Sequence, residues 1–271
     1  MNSAASRNSP IGVFDSGVGG LTVFREIARI LPAEPIVYLG DSARVPYGNK
    51  SPQNVLRYTL EAAEHLVERG VKMLVIACNT ATAAALPELM TRLQIPVLGV
   101  IEPGARAAAA ITRGKVGIIA TEGTVKSNAY RDAILAVDPG LTVFQSACPL
   151  FVPLAEEGWA DTHVAREVAE IYLRPLLDDG IDTLVLGCTH YPLLRQTIEQ
   201  ITGAAISVVD SAETTALRVA QELSIRNLGV DVRGDGAQYR FLVTDAEERF
   251  RKIAGEFLES SVDHLELVQL G

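Results

Sequence analysis

The amino-acid sequence predicts an α/β fold: two pseudo-symmetric α/β lobes, each a parallel sheet flanked by helices, with a ligand cleft between them. Three observations predict it. Short apolar runs alternate with segments of helical period. The same series of runs occurs twice. And GVKMLVIACNT at 70–80 is matched by GIDTLVLGCTH at 180–190, each an apolar run ending on a cysteine and polar side chains. Runs of four or five apolar residues bounded by turn signals read as strands buried on both faces, and repeated βα units make parallel sheets.

In chain order, IGVF at 11–14 is a strand, GLTVFREIARIL at 20–31 has helical spacing, and IVYL at 36–39 is the next strand. Ser51 and Pro52 open a helix, serine as its cap and proline at the first helical position, and Gly70 closes it. MLVIA at 73–77, a helix from about Thr80 and IPVLGV at 95–100 complete the first half. Glu102-Pro103-Gly104 is expected to be a linker, because proline and glycine break the chain before the alanine-rich helix ARAAAAI. In the second half VGIIAT at 116–121 takes the place of IGVFDS at 11–16, LTVFQSA at 141–147 that of IVYLGDS at 36–42, and AISVVD at 205–210 that of IPVLGV. Ser211 is expected to cap the next helix, which runs to about Asn227. A glycine-rich turn, GVDVRGDG, a strand YRFLV and a charged helix EERFRKIAGEFLE follow. The expected division is residues 1–103 plus 212–271 for the first lobe, its C-terminal tail packed back on it, and 104–211 for the second.

The 271 residues have room for about two domains, and 48% hydrophobic content suffices for large cores. The N-terminal MNSAASRNSP has no apolar h-region and no long uninterrupted apolar run follows, so neither a signal peptide nor a membrane span is expected; the first nine residues read as a frayed tail. Three cysteines are an odd number for a disulfide framework and point to a reducing compartment, hence a cytoplasmic location. A formal charge of −9 without clustered Lys or Arg argues against nucleic acid as a partner. A small anion held by backbone N–H groups remains open to such a protein.

A cysteine ending an apolar strand is commonly core filler. Cys78 and Cys188 form a matched pair instead, at the strand ends where α/β folds place ligands and each ahead of a helix whose N-terminus is expected to lower a thiol pKa. Cys148, in ACPLFVPL, lacks the pattern and reads as structural. Cys188 and His190 make a Cys-x-His pair with no second closely spaced pair, so metal ligation is poorly supported, and the absence of CxxC argues equally against a redox dithiol. DSGVGG at 15–20 leaves a strand and opens a helix, suggesting anion binding on exposed N–H groups, although it is neither GxGxxG nor a P-loop. Asp15 and Ser16 read either as a helix cap or as polar groups serving a nearby thiol. Asn79, Thr80 and Thr189 carry the same ambiguity between cap and ligand donor. GDSARVPYGNKS is a long polar loop at a strand end, of the kind that lines sites.

Two thiols from two pseudo-symmetric lobes would meet a ligand from opposite sides. A stereocentre inverts when a base removes its proton from one face and an acid returns one to the other, so one cysteine would be thiolate and its partner thiol, with roles exchanged in reverse. A pyridoxal enzyme would need a Schiff-base lysine, and Lys126 in GTVKS is the candidate nearest a strand end, without a supporting motif.

FDSGVGGLTV, GDSARVPYG, ACNTATA and GCTHYPLL, in this order and spacing, resemble the cofactor-independent glutamate racemases of bacterial cell-wall synthesis, within the aspartate/glutamate racemase family, over residues 10–215. The resemblance implies that Cys78 and Cys188 are two acid/base residues, assisted by Asp15 and His190 respectively, with Glu156 a further candidate for the second set. It also implies substrate contacts at Asp15, Ser16, Tyr47, Gly48, Asn79, Thr80, Thr189 and His190. The implied enzyme converts L-glutamate to D-glutamate for peptidoglycan synthesis, and so for cell shape, without cofactor or metal, in an active site between the lobes. A homodimer is expected, although nothing in the sequence marks its interface. Another amino-acid racemase of the superfamily, acting on aspartate for example, is the alternative within the class; its relatives usually lack the CTHYPLL form. A non-catalytic anion-binding module using DSGVGG is the alternative outside it.

Overall fold

The computed structural model describes residues 6–230, 238–258, 262 and 264–271. Each predicted strand forms, and the strands pair in parallel. The first half runs β1 (Ile11–Asp15), α1 (Leu21–Ile30), β2 (Ile36–Gly40), α2 (Pro52–Glu68), β3 (Met73–Ile76), α3 (Asn79–Arg92) and β4 (Val97–Gly99). The second runs α4 (Ile101–Ile111), β5 (Lys115–Ala120), α5 (Glu122–Ser127), α6 (Ala129–Val137), β6 (Thr142–Ala147), α7 (Phe151–Glu156), α8 (His163–Asp178), β7 (Thr183–Gly187), α9 (Arg195–Thr202) and β8 (Ser207–Asp210). After them come α10 (Ser211–Ile225), β9 (Tyr239–Val243), α11 (Glu247–Leu258) and β10 (Leu265–Leu267).

The repeat is visible in the topology. The second sheet has the order β6-β5-β7-β8, and the first contains the equivalent order β2-β1-β3-β4, extended at the β2 edge by β9 and β10. β9 pairs with β2 from Ile36↔Tyr239 to Gly40↔Val243, so the C-terminal segment completes the first sheet. Phe24, Tyr38, Phe241 and Phe250 bring α1, β2, β9 and α11 together as a tilted and edge-to-face ring cluster. β1, β3 and β7 are buried along their whole lengths, as their continuous apolar sequences require of central strands.

Local signals operate as the sequence suggests at α2, where the Ser51 side chain accepts from the Asn54 N–H, Pro52 opens the helix, and Gly70 follows it at φ +77°. Elsewhere they are overridden. Glu102-Pro103-Gly104 is not a linker but part of the first turn of α4. Proline is accommodated there because first-turn N–H groups have no intrahelical acceptor to lose, and a single residue separates β4 from α4. Asp210, not Ser211, caps α10, accepting from the Ala212 N–H at 2.7 Å, while the Ser211 hydroxyl donates to the Leu186 carbonyl. The glycine-rich turn expected at 229–236 lies for the most part outside the described residues. No helix among the described residues is long and apolar enough to cross a membrane.

The amino edge of the first sheet is tied by a buried ion pair. Lys72 is completely inaccessible; its Nζ lies 2.5 Å from Glu34 Oε2 and donates to the Arg7 carbonyl at 2.6 Å. Glu34 Oε1 accepts from the Val230 N–H, and Arg7 Nε donates to the Asn227 carbonyl. Residues 7–9 are therefore held in place and not frayed as the sequence suggests. Removing one member strands a buried charge, so Lys72→Met is expected to destabilise the protein by about 3–5 kcal/mol in urea unfolding, with Lys72→Met/Glu34→Leu losing clearly less. A double variant as unstable as the single would contradict this account.

Candidate active site

The carboxyl ends of β1 and β3 in one sheet and β5 and β7 in the other open on a shared pocket between the lobes. The side chains enclose a cavity of about 40 Å³, room for a few water molecules at most. Cys78 and Cys188 both line it, 6% exposed each.

Cys78 is itself the N-cap of α3, its Sγ accepting from the Ala81 N–H at 3.4 Å. Sequence reasoning expects the helix terminus to lower the thiol pKa. Burial instead pushes it up to about 12, with the nearby Asp15 adding to the rise, and the hydrogen bonds from Ser16 and Ala81 offset only part of this. Asn79, the first residue of α3, accepts from the Tyr130 hydroxyl at 2.7 Å and leaves its buried Nδ2 without a protein partner. Thr80 Oγ1 meets Thr121 Oγ1 at 2.9 Å and Thr124 Oγ1 at 3.1 Å across the cleft.

Cys188 is built differently. The chain beyond it turns through a short 3-10 segment, Tyr191–Leu194, before α9 begins, so this thiol does not cap the α-helix that follows it. Its neighbour is His190, whose Nδ1 lies 3.9 Å from Sγ and whose Nε2 lies 3.1 Å from Glu156 Oε1 on α7. Burial disfavours the imidazolium, but the hydrogen bonds and charges of Cys188 and Glu156 outweigh it and raise the His190 pKa. Burial likewise acts to raise Glu156, yet His190 and Arg249 hold its carboxyl below the usual range. Each of the two groups thus favours the charged form of the other.

DSGVGG does not present exposed N–H groups. Residues 17–20 are buried, and the N–H groups of Gly17 and Gly20 are taken by the Asp15 carboxylate, with Gly17 N at 2.9 Å from Oδ2. The loop's own aspartate fills its anion seat, which removes the basis for an anion-binding module. Asp15 is fully buried and lies behind the pocket wall instead of on it; its remaining partner is the Thr189 hydroxyl at 3.5 Å, and burial raises its pKa despite the charge of His190. Gly19 is required by close approach, since a Cβ there would stand 2.4 Å from both His190 Nδ1 and Thr189 Oγ1.

Tyr47 and Gly48 lie on the pocket wall. The Tyr47 hydroxyl is committed to Asp41 Oδ2 at 2.5 Å, and Gly48 abuts Thr121, which a Cβ would meet at 2.7 Å. Sequence reasoning missed Thr121 and Val152, which line the cavity, as do Gly17, Val45 and Pro46 from the two loops it singled out. Thr121 was within reach, because the repeat pairs VGIIAT with IGVFDS and so equates Thr121 with Ser16. Cys148 sits apart in the second-lobe core, and Lys126 is at the surface, paired with Glu122.

Two duplicated parallel-sheet lobes with a thiol from each in a shared pocket define an α/β enzyme of the racemase class. Residues 11–219 match the family described as Asp/Glu/Hydantoin racemase. The chain is 52% identical over 261 residues, 96% of each chain, to a glutamate racemase of Geobacter metallireducens. In structure it is similar to a glutamate racemase isoform of Bacillus anthracis (TM-score 0.93, 42% identity, 97% and 98% of the chains covered). It is also similar to a glutamate racemase of Francisella tularensis in complex with D-glutamate (TM-score 0.91, 38% identity, the same coverage). The chain belongs to the Asp/Glu/Hydantoin racemase family, and within it to the glutamate racemases.

The Cys78 environment yields a direct expectation. With its pKa near 12, alkylation of Cys78 by iodoacetamide, followed by peptide mass spectrometry, should keep rising about tenfold per pH unit from pH 8 to 10, where an ordinary thiol with pKa of about 8.5 levels off. A plateau below pH 9 would show that the thiol is not raised.

Proposed function

We propose that this chain racemises glutamate by two-base proton transfer, with Cys78 and Cys188 on opposite faces of the α-carbon. The observation that carries the reading is the convergence of both thiols, one from each lobe, on a single enclosed pocket. One cysteine as thiolate takes the α-proton while the other as thiol donates to the far face, and the roles exchange for the opposite enantiomer. An amino-acid α-hydrogen is less acidic than a free thiol by on the order of ten pK units, roughly 14 kcal/mol. A thiol raised as Cys78 is makes a stronger base when ionised, narrowing that gap while lowering the thiolate fraction. Asp15, behind the wall, serves Cys78 through its charge; His190, held as a cation by Glu156, donates its Nδ1–H to Cys188 Sγ and favours the thiolate that takes the α-proton.

No Lys or Arg lines the pocket among the described residues, so apart from the His190 imidazole neutral donors hold the substrate carboxylates. The Ser16, Thr80, Thr121 and Thr189 hydroxyls, the unpartnered Asn79 Nδ2 and the Gly48 backbone supply them. A cavity of about 40 Å³ is smaller than glutamate, so on this reading the lobes, taken as residues 1–103 plus 212–271 and 104–211, part to admit substrate. Likeness to the glutamate racemases supports the wider reading: a cytoplasmic homodimer supplying D-glutamate for peptidoglycan without cofactor or metal.

The test is solvent isotope entry. Starting from L-glutamate in deuterium oxide without added cofactor, D-glutamate should carry α-deuterium from the first turnovers while residual L-glutamate stays protiated. Cys78→Ala and Cys188→Ala should each lose at least about 10²–10⁴-fold in rate, and Cys148→Ala should stay within a small factor. Protium retained in early product, or an active Cys188→Ala enzyme, would sink the two-base mechanism.

A further inference from the structure

Arg249 lies on α11, 93 residues from Glu156 in sequence. α11 packs into the first-lobe core through Phe250, Ile253, Ala254 and Phe257, whereas α7 is anchored in the second-lobe core through Phe151 and Ala155. Between them Arg249 Nη2 lies 3.3 Å from Glu156 Oε2 and 3.1 Å from Glu157 Oε1. The two oxygens of Glu156 are thus divided: Oε2 meets the first lobe's arginine, and Oε1 meets His190 Nε2. On its other side the His190 ring meets the Phe257 ring edge-on at 5.7 Å, one helix supplying both the tether and the packing wall.

We infer that Arg249 is a positioning residue, a tether from the opposite lobe that holds the Glu156 carboxylate against His190 and thereby fixes the charge on the imidazole beside Cys188. The inference rests on the proposed acid/base role of Cys188 and His190. The charged and titratable groups facing His190 are Cys188 in its own segment, Glu156 from α7 and Asp15 from the end of β1, with Arg249 and Glu157 behind Glu156. Because Arg249 and Glu156 belong to different lobes, the contact belongs to the closed arrangement, and the histidine receives its full counter-charge only there.

A tether and a remote charge have opposite signatures. As a bare positive charge Arg249 would disfavour the imidazolium, and its removal would raise the His190 pKa. As a tether its removal lets Glu156 leave, and the pKa falls. Arg249 is 59% exposed, so the effect is moderate and sensitive to salt.

The experiment is titration of His190 by nitrogen-detected imidazole NMR in ligand-free protein, its signals separated from those of His65, His163 and His264 with a His190→Asn sample. Arg249→Ala should lower the His190 midpoint by about half a pH unit, roughly threefold in proton affinity. Arg249→Lys should retain most of the wild-type value. Glu156→Gln should lower it further, and adding Arg249→Ala to Glu156→Gln should change nothing more. High salt should move the wild type toward Arg249→Ala and leave that variant unmoved. The pH profile of kcat/KM for glutamate should shift in the same direction as the midpoint. An unchanged or raised midpoint in Arg249→Ala, or additive effects in the double variant, would overturn the tether. A midpoint that falls as stated in a protein that does not racemise glutamate would instead overturn the proposed function and leave the tether standing.

Discussion

All strands of a parallel sheet end at the same edge, so the residues that follow them are gathered on one side whatever their distance in sequence. Here that constraint acts twice. The shared order, β2-β1-β3-β4 and β6-β5-β7-β8, places the central pairs β1/β3 and β5/β7 in equivalent positions, and the two carboxyl edges confront each other. Cys78 and Cys188 lie two residues and one residue beyond the equivalent strands β3 and β7. The separation of the edges is set by small side chains. Thr22 reaches the Thr189 carbonyl, Thr80 reaches Thr121, and Gly19 and Gly48 lie directly against His190 and Thr121. A larger residue at any of the glycine contacts would hold the lobes apart and move the two thiols out of a common pocket.

Much of this was legible in the sequence because it rests on signals that are local or paired. Buried strands announce themselves as apolar runs, and the cysteines gained meaning from occurring twice at equivalent points. What was misread turned on context that local signals do not carry. Proline and glycine at 103–104 look like a break, yet the first turn of a helix tolerates both. DSGVGG looks like an anion cradle, yet its N–H groups are consumed two and five residues away by the aspartate that begins it. Val152 lines the pocket through tertiary placement alone. Arg249 belongs to a charged helix with no motif to mark it, and its contact with Glu156 spans 93 residues.

The duplication extends to the backbone and stops at the electrostatics. Cys78 caps an α-helix of 14 residues, with a buried carboxylate behind it and a hydroxyl donor beside it. Cys188 precedes a 3-10 turn and faces an imidazolium whose counter-charge comes from α7. Burial therefore raises one thiol in a setting shared with an acid, while the other has a proton-carrying partner within reach. Diverging neighbours after duplication are what a scaffold of this kind permits, since residues one or two beyond a strand end can change without disturbing the sheet.

On the proposed reaction this asymmetry has a bounded effect. L- and D-glutamate have equal free energies in achiral water, so the equilibrium constant is one whatever surrounds the two thiols. The ratio of kcat/KM in the two directions equals that constant, and both directions share the same highest transition state measured from free enzyme and substrate. Unequal neighbours therefore cannot favour one product. They act on the bound and protonation states between the two ends, which appear in kcat and in KM separately and must cancel in their ratio. A tethered imidazolium beside Cys188 and a raised thiol at Cys78 thus set how far each enantiomer's complex lies below the shared barrier, and leave the height of that barrier from solution common to both.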